Sequence, residues 1–155
     1  MFIPFPSIHK YGKIIWKYLP LKEGRRKSHI DQGDIYFWTA TINKWYRLLE
    51  MNEYKNVIIQ SSQYLTDAGK IDVFTFIIMP NHIHLIWRNN EPNGKELPQG
   101  SLLKYMAHIF KEMLKAEGGR KLAAYKVDAD NKQYKFWQRD SLAIPLFTKK
   151  VATQN

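Results

Sequence analysis

The chain contains no cysteine, and that one absence excludes disulfides, thiolate metal sites and a cysteine nucleophile together. It also lacks any apolar run approaching the roughly 20 residues of a membrane-spanning helix. The first twenty residues, "MFIPFPSIHKYGKIIWKYLP", lack the three-part layout of a secretion signal, because prolines and lysines interrupt every apolar stretch. The expectation is a cytoplasmic protein with no membrane partner. Negative charge is scarce as well, with 14 Asp and Glu against 24 Lys and Arg, a formal net charge of +10. What is plentiful is apolar and aromatic side chain, 45% and 14% of the residues, enough in a chain of 155 for one domain with a sizeable core.

The positive charge sits at the two ends. Residues 1–30 carry seven Lys or Arg against one Glu, a net +6; residues 31–99 carry six against eight, a net −2; residues 100–155 carry eleven against five, again +6. Basic ends around a near-neutral centre suit a polyanionic partner, whose bound counterions are released on contact. A basic solvated surface gives the same totals, so charge alone does not choose.

Residues 1–33 read as a basic leader, with prolines at 4, 6 and 20 and the run "KEGRRKSHIDQG" opposing long regular structure. The domain occupies 34–155. "DIYFWTATINKW", dense in β-branched and aromatic residues, predicts a strand over about 35–42. "NEYKNVIIQSSQYLTDAG" predicts a helix, capped by Asn52, stopped at Gly69, and burying Tyr54, Val57, Ile58, Ser61 and Leu65. "KIDVFTFIIMP" predicts a second strand, apolar on both faces toward its end and therefore expected at the centre of its sheet. After a turn at Pro80-Asn81, "HIHLIWR" is a third strand antiparallel to the second.

"SLLKYMAHIFKEMLKAEGG" is the clearest helix, with Ser101 to cap it, Gly118-Gly119 to end it, and a stripe through Leu102, Met106, Ile109 and Met113 widened by Leu103, Phe110 and Leu114. "YKFWQ" is a short strand candidate, and "LFTKKVATQN" looks like a helix beginning. The order is strand, helix, strand, strand, helix, strand. That is the α+β, ferredoxin-like βαββαβ arrangement, a four-stranded antiparallel sheet with both helices on one face.

Side chains two apart in a strand point the same way, so His82 and His84 present neighbouring imidazoles while Ile83 and Leu85 face apolar packing. Two neutral imidazoles can hold one metal ion and leave coordination positions open for a substrate oxygen. A His-Xaa-His strand also occurs as plain surface decoration, so the spacing by itself decides little. His9, His29 and His108 are isolated.

The wider stretch "FTFIIMPNHIHLIW" resembles the hallmark segment of the REP-associated tyrosine transposases and related single-strand insertion-sequence transposases, members of the His-hydrophobe-His nucleases. The resemblance extends through "GDIYFWTATINKW", "NEYKNVIIQSSQYL" and "NKQYKFWQRDSLAIPLFTKKVATQ", about residues 33–155. It implies a ferredoxin-like fold, cleavage and rejoining of single-stranded or hairpin DNA through a 5′-phosphotyrosine, a divalent metal (Mg2+ or Mn2+) on His82 and His84, and a homodimer. Imidazole suits manganese, cobalt or zinc better than magnesium, which would rely on waters and a phosphate oxygen.

The family's nucleophilic tyrosine lies on a helix after the "FWQ" segment, and it would fall beyond Asn155; no residue can be assigned to it, and the chain is expected to be truncated and not to cleave as it stands. Tyr105, Tyr125 and Tyr134 are poor substitutes. DNA-contact candidates are Arg88, Lys104, Lys111, Lys135 and Arg139 for phosphates, with Trp137 to stack on an unpaired base. A rival expectation is a module that recognises hairpin or palindromic DNA without cutting it. An RNA-binding ferredoxin-like domain is disfavoured, since no glycine-aromatic ribonucleoprotein motif is present.

Overall fold

The computed structural model describes residues 29–147. The expected architecture is present: β1 (Ile35–Thr41), α1 (Asn52–Asp67), β2 (Ile71–Met79), β3 (His82–Asn89), α2 (Pro98–Ala116) and β4 (Leu142–Phe147). All pairings are antiparallel, in the order β2-β3-β1-β4. This is an α+β, ferredoxin-like sheet. None of the helices among the described residues is long and apolar enough to cross a membrane.

β1 and β3 form the centre, and their residues alternate strictly between half-buried and buried. Tyr36, Trp38 and Ala40 of β1 and Ile83, Leu85 and Trp87 of β3 enter one core with both helices. Trp38 lies tilted on Trp87 with ring centroids 4.8 Å apart, and Tyr54 of α1 meets Phe110 of α2 at 5.6 Å. Each such buried side chain contributes about 1.5–3 kcal/mol of hydrophobic stabilisation. Tyr54 also donates its hydroxyl to Glu117 Oε1 at 2.7 Å, joining the start of α1 to the end of α2. The expected face of α1 is the buried one: Tyr54, Val57, Ile58, Ser61 and Leu65.

Both helices stop by the same device. Gly69, at φ +70°, donates its N–H to Thr66 while Lys70 donates to Leu65; Gly118, at φ +95°, donates to Lys115 while Gly119 donates to Leu114. The left-handed residue turns the chain back so that the last carbonyls find donors.

Several expectations need correction. β2 is an edge strand, not a central one, and Phe74, Ile77 and Met79 are exposed on it. The fourth strand is Leu142–Phe147, not "YKFWQ". Pro145 is tolerated there because β4 is the other edge, where a missing N–H breaks no ladder. "YKFWQ" instead makes single bridges, Lys126 to Tyr134 and Ile42 to Trp137. Leu146 and Phe147 therefore end a strand rather than open a helix, and the remainder of "LFTKKVATQN" lies outside the described residues.

Helix α2 starts at Pro98, whose missing N–H suits the first helical position, so Ser101 sits inside it and accepts from Asn93 Nδ2. Its buried line runs through Leu102, Met106, Phe110 and Leu114, with Ile109 and Met113 on the flank. α1 begins at Asn52 with Met51 as its cap residue, and Asn52 Oδ1 faces Lys55 Nζ instead.

Candidate metal centre on the open face of the sheet

The helices cover one face of the sheet; the other is open among the described residues. His82 and His84, with Ile86 and Arg88, are the half-buried residues of β3 that alternate onto it. Register adds Thr41 and Thr39 from β1 and Met79 and Ile77 from β2, opposite His82 and His84 respectively. Further across lie Phe37 with its partner Ile144, and Leu142 opposite Thr39. Ile77, Met79, Leu142 and Ile144 are all exposed. The two imidazoles thus stand in an apolar, solvent-open setting.

The rings are 4.7 Å apart between centroids and inclined at 74°. Each is tied through Nδ1. His82 Nδ1 is 2.7 Å from Asn81 Oδ1, and an amide oxygen only accepts, so the proton belongs on Nδ1 and the Nε2 lone pair is left open. His84 Nδ1 shares a 2.8 Å hydrogen bond with Thr39 Oγ1, whose hydroxyl can accept in the same way. His84 also stacks on Phe37, at 5.1 Å and 24°. Burial, and secondarily the nearness of His82, hold the His84 pKa below the ordinary imidazole range, favouring the neutral form a metal requires.

Both Nδ1 positions are engaged by neighbouring oxygens, the kind of outer support that orients a metal-binding histidine. Among the described residues no group of three or more His, Asp or Glu could hold a metal.

The phosphate-contact candidates do not converge on this pair. Arg88 shares the open face but lies four residues beyond His84, roughly 13 Å along the strand. Its guanidinium is bound by Asp72, whose carboxyl it holds below the usual range, and lies over the Phe74 ring at 5.8 Å. Lys104 and Lys111 are on α2, across the sheet from the histidines, near Glu96 (2.6 Å) and Glu112 (3.6 Å). Surface pairs of this kind contribute about 0–1 kcal/mol and yield readily to a phosphate. Lys135 is half-buried and Arg139 exposed.

Trp137 is 8% exposed, packs on Phe110 at 5.9 Å and donates its indole N–H to Leu103 O. It is a core residue, which corrects the stacking role expected of it. Tyr105, a poor substitute for the nucleophile, is 55% exposed on α2. Tyr125 is buried, stacked on Phe136 at 4.7 Å, its phenol pushed up to about 12 by burial. His29 pairs with Asp31, His108 is exposed on α2, and His9 lies outside the described residues.

Four residues of the site escaped sequence reasoning: Phe37, Thr39, Asn81 and Trp45. Phe37 and Thr39 depend on strand register, whereas Asn81, next to His82, is a local signal. Trp45 depends on a strained turn. Lys44 and Trp45 have φ of 56° and 59°, left-handed values that cost a residue with a Cβ about 1–2 kcal/mol. The turn is clamped on both sides, by Ile42 N–H to Asn81 O (2.8 Å) and Asn43 N–H to Phe136 O (2.7 Å). It brings the indole edge-on to His82, at 6.4 Å and 72°.

Neither a family model nor a curated protein matches the chain. Among solved structures it is similar to the REP associates tyrosine transposase bound to a REP hairpin, at 18% identity and a TM-score of 0.47, over 85% of this chain and 66% of that one. The chain thus spans slightly under two thirds of that protein.

Proposed function

We propose that this chain is a DNA transposase domain that binds single-stranded or hairpin DNA, with His82 and His84 holding a divalent ion at a DNA phosphate. One observation carries the reading. Two neighbouring imidazoles stand on an open sheet face with their Nδ1 atoms engaged by Asn81 and Thr39, inside a segment resembling the transposase hallmark. When bound, the ion would draw charge from a phosphate oxygen and make the phosphorus easier to attack. Asn81 and Thr39 fix the rings, and the stack on Phe37 limits rotation of His84. Manganese is the better match to an imidazole pair, magnesium the weaker one.

Cleavage and rejoining through a 5′-phosphotyrosine would need a tyrosine from outside the described residues. A second reading, a module that recognises hairpin DNA without cutting it, is favoured by the absence of any tyrosine among the half-buried, open-face residues of β1 and β3.

Manganese binding followed by electron paramagnetic resonance, and binding of a fluorescent hairpin DNA with a single-stranded tail, test the proposal. The intact chain should bind one Mn2+ and hold the DNA more tightly with it, whereas the His82→Ala/His84→Ala variant should do neither. Unchanged Mn2+ binding by that variant would sink the reading. A covalent protein–DNA adduct formed by the chain would favour the cleaving form, and its absence the binding module.

A further inference from the structure

We propose that Trp45 is the base-stacking residue of this site, receiving an unpaired nucleobase adjacent to the phosphate at His82 and His84. The inference rests on the DNA-binding reading above and extends it from backbone to base. Four tryptophans fall among the described residues. Trp38, Trp87 and Trp137 are 0%, 0% and 8% exposed, whereas Trp45 is 59% exposed. A large indole left in water gains little hydrophobic stabilisation for the fold.

The backbone makes the exposure costlier still. Lys44 and Trp45 both occupy the left-handed region, which neither favours, and the half-exposed indole recovers little by burial. Such conformations persist where the surroundings over-determine them, and they gather at ligand sites.

The clamp that holds the turn also orients His82. Asn81 accepts the Ile42 N–H through its backbone carbonyl and faces His82 Nδ1 through its side-chain oxygen. One residue therefore sets both the His82 ring and the turn that carries Trp45. The indole stands at the rim of the imidazole pair, 6.4 Å from His82, within reach of a base whose phosphate sits at the histidines. The next residue, Tyr46, lies under the Lys44 ammonium at 6.0 Å and anchors the far side of the turn by packing on Tyr125 at 5.4 Å. An exposed aromatic ring beside a phosphate-binding position is the standard way to hold single-stranded nucleic acid, and it tolerates sequence because every base has a π-face.

The test uses the full chain and two hairpin DNAs, one with an oligo-dA tail and one whose tail is made of abasic nucleotides, so that phosphates are equal and bases are not. Affinity is measured by fluorescence anisotropy in Mn2+ for the parent, Trp45→Ala and Trp45→Phe, with thermal melts to show that each is folded. The parent should prefer the base-bearing tail by about tenfold or more. Trp45→Ala should lose that preference, and Trp45→Phe should keep most of it.

If Trp45→Ala keeps the preference, or weakens both tails equally, Trp45 is not the stacking residue and the DNA-binding reading stands. Equal binding of both tails by the parent overturns the inference in the same way. If the parent binds neither hairpin, the DNA-binding reading fails and takes the inference with it.

Discussion

Ile83 and Leu85 alternate with His82 and His84 along four residues of one strand, yet the two pairs answer to different constraints. Ile83 and Leu85 are 0% and 1% exposed, under two helices, and their size is set by the core. His82 and His84 are half-buried on a face that no helix among the described residues covers, and their orientation is set by hydrogen bonds to Asn81 and with Thr39. One side of the strand specifies a fold by exclusion of water. The other keeps polar nitrogen accessible beside apolar neighbours. A period of two lets both jobs share one backbone, so a one-residue slip of register would exchange them and ruin each.

The strongest way to break that contrast is to truncate one residue from each side. Leu85→Ala leaves a cavity beneath the helices and should cost about 3 kcal/mol of unfolding free energy. His84→Ala should cost under about 1 kcal/mol, since the ring loses only a stack on Phe37 and one hydrogen bond. Urea denaturation of the two variants measures the difference. Comparable losses would mean that the histidine is a packing residue and that the open face is structural.

A smaller effect sharpens the open face itself. Asn81→Ala removes the acceptor that holds the His82 proton on Nδ1, and should weaken Mn2+ binding by about 10- to 100-fold while leaving the melting temperature nearly unchanged. An unaltered manganese affinity would show that the His82 tautomer needs no help from its neighbour.

The two faces were also unequally legible in the sequence. The covered face announces itself, because burial imposes spacing: the five residues expected on the inner side of α1 are its buried residues, and the βαββαβ order follows from the patterning. The open face misleads. "VFTFIIM" is apolar on both sides, as a central strand would be, but β2 is an edge whose Phe74, Ile77 and Met79 remain exposed. "YKFWQ" looks more strand-like than "LAIPLF", yet Phe136 and Trp137 are spent as core aromatics beside α2 while the proline-bearing segment takes the edge.

The histidine pair is readable from its spacing. Asn81 beside His82 is a local signal, but Thr39 reaches His84 only through the β1–β3 register. Trp45 is hidden for a sharper reason: left-handed backbone is ordinarily signalled by Gly or Asn, and here Lys and Trp adopt it.

The smallest expected effect lies in the pH dependence of the two faces. Burial, with His82 adding to it, favours neutral His84 in the folded chain, so its pKa lies below the 6.5 of the free side chain. Between those two values the unfolded chain binds more protons than the folded one, and stability rises with pH. The contribution is therefore fully present above pH 6.5, declines as the pH falls below it, and levels off once the folded-state pKa is passed. Manganese binding should weaken over the same acid range, as protons compete for the ring nitrogens. In His82→Ala the repulsion is gone while the burial remains, so the His84 pKa should move up only part of the way toward 6.5. A proton NMR titration of the His84 ring in parent and variant reads this directly, and a His84 value in the parent at or above 6.5 would remove the account of why this imidazole is ready for a metal.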